Sequence, residues 1–288
     1  TACGAPGRSK RPHANSPPAV LSLKNVSIAF GGVVAVDRLS IEIRSGAITG
    51  LIGPNGAGKT TAFNILAGSL KPDAGQVLFQ GRDITALAPH QRAALGIART
   101  FQLAHEFSRL TVIENLMVAA DLQPGERVFN AVFRRASYHK AEQEIHARAH
   151  QLLGFLGLQQ QALEPAGALS GGQKKLLELG RALMRQPRIV LLDEIGAGIN
   201  RSLLGRIADM LLKLREDTGI TFCLIEHDLD YVSRMCDQVF VMASGQLLAQ
   251  GTVAEVRADE RVVDAYFGGG KYEDKSPGSH ALIPEPTP

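Results

Sequence analysis

The sequence predicts an α/β fold on a mainly parallel sheet, and three observations predict it. From residue 47 onward, short apolar strand-like runs alternate with segments of helical spacing. The first of these runs passes directly into a glycine-rich loop and then a helix, the order that a phosphate-binding turn requires. A mostly helical stretch, residues 103–170, interrupts the alternation as an inserted subdomain would.

Taken in order, Leu21–Phe30 and Val33–Ile43 read as strands, with Gly31-Gly32 as the turn signal between them. In the second, Leu39, Ile41 and Ile43 alternate with Ser40, Glu42 and Arg44, which gives one buried face. Ala47–Ile52 is apolar apart from Thr49 and Gly50, as suits a strand covered on both faces. Thr60–Leu70 has helical spacing, and Gln76–Gln80 reads as a short strand. Leu110–Leu158 is mainly helical, with a break at Gln123-Pro124-Gly125. A helix over Gln173–Met184 stops before Pro187. Strand Arg188–Leu192, helix Ser202–Glu216, strand Thr221–Ile225, helix Leu229–Met235 and strand Val239–Met242 complete the pattern. Residues 1–19 are rich in Pro, Gly, Ser and Ala and are expected to be a disordered extension. Residues 269–288 turn again to Gly, Pro, Ser and charge, a flexible tail, so that 20–268 forms the folded domain.

Composition narrows the function. Lys and Arg number 31 against 28 Asp and Glu, and the positive charges are scattered, so nucleic acid is not an expected partner. No apolar stretch approaches the ~20 residues that a membrane-spanning helix needs. Arg8, Lys10 and Arg11 are not followed by an apolar run, which argues against a secretory signal. Cys3, Cys223 and Cys236 show neither paired nor metal-ligand spacing, and Cys223 lies in an apolar run as a small core residue would.

The chemistry begins at Gly53-Pro54-Asn55-Gly56-Ala57-Gly58-Lys59-Thr60, a full match to G-x-x-x-x-G-K-[ST] between a strand and a helix. Glycines there let successive backbone N–H groups turn onto phosphate oxygens, and the helix adds its positive end. Lys59 is expected to reach the β- and γ-phosphates, and the Thr60 hydroxyl to ligate Mg²⁺, with Thr61 next along the same helix. A nucleoside triphosphate with Mg²⁺ is therefore the expected ligand, although the loop alone does not distinguish a kinase, GTPase, helicase or transporter. Farther on, the run Ile189–Leu192 leads into Asp193-Glu194, which places two carboxylates at the carboxyl edge of the sheet. Asp193 is expected to hold Mg²⁺ through water, and Glu194 to orient or deprotonate the attacking water. Alone, the same pair reads equally well as the start of a loop.

Leu169-Ser170-Gly171-Gly172-Gln173 opens the helix before the acidic strand. Read alone it is also a turn capping a helix, and with the phosphate loop it makes a second anion site. Here the sequence resembles the ABC ATPase family, whose signature motif is LSGGQ. The resemblance covers about Leu21 to Gly268. It implies a P-loop NTPase core with an N-terminal antiparallel β subdomain and the inserted helical subdomain. It also implies a head-to-tail dimer in which each ATP lies between one P-loop and the partner's signature. On the same resemblance Gln102 is placed like a glutamine that ligates Mg²⁺ or water and senses the membrane partner. His227, in Glu226-His227-Asp228, is placed like a histidine that contacts the γ-phosphate. Phe30 is placed like an aromatic that stacks on adenine, although an aromatic on a strand also reads as core. Asn200 occupies the position where the chain crosses the dimer. The family usually has Pro after the acidic pair, whereas this chain has Ile195; the loss of that restraint predicts a less preorganised carboxylate.

Softer signals are similar to the larger ATPase of branched-chain amino-acid importers. They are Phe30–Val36, Ile97–Gln102, Glu114–Val118, the helical insert through Phe129–Leu158, and the ending from Gly251-Thr252 to Tyr266-Phe267-Gly268. The resemblance implies a second, shorter ATPase, two membrane permeases and a solute-binding protein as partners, at the cytoplasmic face of the inner or plasma membrane. Importers of urea and short amides share much of this pattern. An exporter ATPase, or a soluble ABC ATPase acting in DNA repair or translation, would share the catalytic motifs. The latter usually carries two cassettes or long coiled-coil arms, which this sequence lacks.

Overall fold

The computed structural model describes residues 18–100, 106–120 and 135–267. It opens with a long hairpin, β1 (Ala19–Phe30) and β2 (Val33–Arg44), turned at Gly31 and Gly32. Both glycines have positive φ, 52° and 88°, as a tight two-residue turn between right-twisted strands demands. β1 therefore begins inside the extension that composition predicts for residues 1–19. β3 (Ile48–Ile52) follows, then α1 (Lys59–Ala67), β4 (Ala74–Phe79), β5 (Arg82–Asp83), α2 (Pro89–Ala94) and β6 (Ile97–Arg99). The helical region holds α3 (Val112–Ala119), α4 (Arg135–Leu156) and α5 (Gly171–Met184). After it come β7 (Ile189–Asp193), α6 (Arg201–Thr218), β8 (Thr221–Ile225), α7 (Leu229–Met235), β9 (Gln238–Ala243) and β10 (Gln246–Gly251). Two short helices, α8 (Val253–Arg257) and α9 (Glu260–Phe267), close the described chain.

These strands form two sheets. One is antiparallel, in the order β2-β1-β4-β5. The other runs β10-β9-β3-β8-β7-β6, parallel throughout except for the edge pair β9–β10. The mainly parallel core and the antiparallel N-terminal sheet are thus those that the sequence predicts. β3, β7 and β8 are buried at every position, as a sheet covered on both faces requires. Their side chains divide with period two. Ile48, Ile52, Val190, Leu192, Phe222 and Leu224 join the helical side of the core. Leu51, Ile189, Leu191, Cys223 and Ile225 join a second cluster with α1 and the antiparallel sheet.

α1 ends at Ala67, short of the predicted Leu70, because Gly68 takes the left-handed conformation (φ 83°) that closes a helix. Arg92 of α2 reinforces that end. Its buried guanidinium donates to the carbonyls of Ile65 and Leu66 in the last turn of α1, and to those of Thr85 and Leu87 in the connection from β5. Burial pushes its pKa down to about 10, against the opposing charge of Asp83.

Candidate functional site

The loop from β3 to α1 carries the phosphate-binding motif, and two of its glycines are required sterically. A Cβ at Gly53 (φ 148°) would collide with the carbonyl oxygen of Met242, and one at Gly58 (φ 94°) with that of Ala35. Gly58 is also the N-cap of α1, so no side chain caps this helix, and no acidic residue lies in its first turn. Ala57 is buried and Pro54 half-buried, while Asn55, Gly56 and Thr60 are exposed and Thr61 half-buried. Lys59 lies beneath the loop, and its Nζ donates to the carbonyls of Gly53 and Pro54, each at 2.8 Å. Burial lowers the pKa of this ammonium, with Glu194 and Asp193 opposing the shift. The loop thus presents uncapped amides and a cation at a helix N-terminus, a donor set that fits a polyphosphate.

Sheet register brings the acidic pair to the same edge. Asp193 pairs with Ile225 across β7–β8, and Leu51 pairs with Ile225 across β3–β8. The ends of three neighbouring strands therefore deliver the P-loop, Asp193-Glu194 and Glu226-His227 together. Asp193 is buried and accepts a hydrogen bond from Arg99 Nη2 at 2.8 Å. Arg99 Nη1 reaches Asn64 Oδ1 on α1, so one guanidinium ties β6, β7 and α1 together. Sequence reading quotes Arg99 only as part of a family stretch; its role emerges from β6 lying next to β7. Glu194 is half-buried, with φ at 45°, a left-handed conformation uncommon outside glycine. His227 is exposed at this edge.

The signature segment forms the start of α5. Ser170 is its N-cap: Ser170 Oγ accepts from the Gln173 N–H at 3.4 Å, and Gln173 Oε1 accepts from the Ser170 N–H at 2.9 Å, a reciprocal capping box. Gly171 faces open space, whereas Gly172 packs directly beneath Leu203 of α6. Asn200 caps α6 by accepting from the Leu203 N–H at 2.8 Å. Phe30 is 49% exposed at the tip of β1, so it is not the core aromatic that its strand position allows. Gln102 lies outside the described residues.

Residues 36–197, more than half of the chain, match the ABC transporter family model, and residues 246–272 match that of the branched-chain amino acid ATP-binding cassette transporters. The chain belongs to the ABC transporter family as an ATP-binding cassette. The cassette is 39% identical over 249 residues to the probable branched-chain amino acid transport ATP-binding protein LivG of Archaeoglobus fulgidus, covering 86% of this chain and 95% of that one. Its identity to the high-affinity branched-chain amino acid transport ATP-binding protein LivG of Salmonella typhimurium is 37%, over 86% of this chain and 98% of that one. Among solved structures it is similar to a nucleotide-free ATP-binding cassette from an ABC transporter, with a TM-score of 0.75 and 39% identity over 87% of this chain and 99% of that one. The ADP conformation of an ABC transporter cassette matches with the same TM-score, identity and coverage. Family membership makes the cassette an ATP-binding ATPase coupled to transport. Among the described residues no helix is long and apolar enough to cross a membrane.

Proposed function

We propose that the cassette binds and hydrolyses ATP at the carboxyl edge of its parallel sheet to energise the import of branched-chain amino acids. The observation that carries the chemistry is the convergence of β3, β7 and β8, which sets the P-loop, Asp193-Glu194 and His227 at one edge. In this reading the backbone N–H groups of Gly53, Asn55, Gly56, Ala57 and Gly58, with those at the start of α1, hold the phosphates, while Pro54, which has no N–H, shapes the loop around them. Lys59 neutralises the β- and γ-phosphates, and Thr61 lies against the same end of the chain. Thr60, Asp193 and Gln102 would hold Mg²⁺, which draws charge from the phosphate oxygens when bound. Arg99 fixes the Asp193 carboxylate for that task. Glu194 accepts the proton of the attacking water, a service worth roughly 10²- to 10⁴-fold in rate. His227 steadies the γ-phosphate, and exposed Phe30 stacks on the base. Ser170, Gly171, Gly172 and Gln173 serve the nucleotide of a head-to-tail partner, and Asn200 lies where the two chains cross.

Residues 20–268 would then be the ATPase domain, with 103–170 as its helical subdomain. Relatives named for branched-chain amino acid transport, matched over nearly their whole length, support the substrate, as does the separate match over residues 246–272. The partners are a second ATPase, two membrane permeases and, through the complex, a solute-binding protein, with the cassette at the cytoplasmic face of the membrane. The test is to purify the tagged full chain from gently solubilised native membranes and identify its companions. Recovery of the permeases, the second ATPase and a protein that binds branched-chain amino acids is the expected result. A recovered binding protein specific for urea or short amides would redirect the substrate, and soluble companions alone would end the transporter assignment.

A further inference from the structure

Glu194 holds a backbone conformation, φ 45°, that a residue with a Cβ keeps only when its surroundings over-determine it. Two side chains with no role in the proposed chemistry supply that determination. Lys175, two residues beyond the signature on α5, donates from Nζ to the carbonyl of Glu194 at 3.0 Å and to that of Ile195 at 3.1 Å. Glu226, at the end of β8, accepts the Gly196 N–H on Oε1 at 2.8 Å. Its carboxyl is buried at 2% exposure, and a Cβ on Gly196 would lie 3.3 Å from both of its oxygens. Backbone bonds complete the frame: Glu194 N–H to the Ile225 carbonyl at 3.1 Å, and Ala197 N–H to the Glu194 carbonyl at 3.2 Å. Ile195 lies half-buried against the helical side of the core. The turn that follows the acidic pair is therefore fixed by hydrogen bonds from two directions, with no proline ring in it.

We propose that Lys175 and Glu226 are positioning residues, which clamp the 194–196 turn, one through its carbonyls and the other through its N–H, and so aim the Glu194 carboxylate at the attacking water. The proposal rests on the reading of Glu194 as the proton acceptor. Both groups are committed to the task at a cost in solvation. Burial lowers the pKa of the Lys175 ammonium, with Glu226, Glu178 and Glu194 opposing. Burial raises that of the Glu226 carboxyl, and the N–H of Gly196 is the largest influence opposing it. Lys175 also lies on the helix whose capped N-terminus is assigned to the partner's nucleotide. One helix thus carries both that second anion site and the donor to the turn bearing this chain's own carboxylate.

The test compares paired variants of the full chain, with ATP affinity, kcat, KM and melting temperature measured on each. Lys175→Met removes the donors and keeps the stem, while Lys175→Arg keeps donors. Glu226→Leu removes the acceptor, while Glu226→Gln keeps one. The proposal expects Met and Leu to lower kcat by about ten- to a hundredfold, as a misaimed group does, with KM and ATP affinity within about twofold. Arg and Gln should retain kcat within about threefold of the parent, since the clamp survives. Should Lys175→Met fail to fold, the Leu and Gln pair at Glu226 carries the same comparison. Loss of kcat alike in both members of a pair, or a rise in KM in step with it, would overturn the clamp. Glu194→Gln separates the two layers of the argument. If it leaves kcat within about twofold of the parent, the assignment of Glu194 falls, and the clamp with it. If it abolishes turnover while Lys175→Met and Glu226→Leu keep kcat, only the clamp falls.

Discussion

The N-termini of α1 and α5 are both assigned to phosphate, yet they are built in opposite ways. At α1 the N-cap is Gly58, which has no side chain, and the nearby Lys59 ammonium is parked on two carbonyls of its own loop. At α5 the N-cap is Ser170, which with Gln173 closes a capping box on itself. A helix start leaves several N–H groups without helical partners, and these two starts dispose of them differently. α1 leaves its donors to whatever arrives, as an anion site in the single chain would. α5 has satisfied part of its own need, so an incoming phosphate must compete with Ser170 and Gln173. Under the proposed function the difference predicts an order of events: the P-loop binds first and alone, and the signature engages later, when a partner brings a nucleotide to it.

Three substitutions break or sharpen that ordering. The largest effect belongs to Lys59→Met, which removes charged hydrogen bonds worth about 2–3 kcal/mol and should raise the ATP dissociation constant of the isolated chain roughly 30- to 150-fold in calorimetry. Gly58→Ala comes next. A side chain at φ 94° facing the Ala35 carbonyl should cost about 1–3 kcal/mol in denaturant unfolding, while a neutral result would mean that the loop need not keep its uncapped form. Smallest is Ser170→Ala, where loss of the cap should cost about 1 kcal/mol of stability and leave ATP affinity of the isolated chain within about twofold. If Ser170→Ala instead weakened ATP binding as much as Lys59→Met, the two helix starts would be equivalent and the ordering wrong.

Much of this was legible from residue order because it is local. The P-loop, the apolar run into Asp193 and the Thr221–Ile225 strand each declare themselves within a few residues, and β8 and α7 fall where periodicity sets them. What stayed hidden has one of two causes. Some elements are too short or too irregular to show a period: β5 has two residues, β6 three, and α2 and α8 make barely more than a turn. β10, at the edge of its sheet, is mostly half-exposed and shows no alternation. Others depend on contacts between distant segments. Arg99 becomes a partner of Asp193 only because β6 lies beside β7, and Lys175 meets the 194–196 turn only because α5 packs near the end of β7. Phe30 needed the structure for a different reason: strand position alone cannot tell a core ring from a displayed one, and its exposure can.

Arg92, which closes the far end of α1, has a consequence for the nucleotide itself. A helix that takes a polyanion at its head is loaded along its axis, and a buried cation at its foot opposes the partial negative charge gathered there. The same guanidinium grips the connection leaving the antiparallel sheet, which carries Phe30 at the tip of its hairpin. The surface proposed for the base and the loop proposed for the phosphates consequently share a footing. Arg92, remote from both, thus adds a polar tie to the apolar packing that already joins the two surfaces into one body.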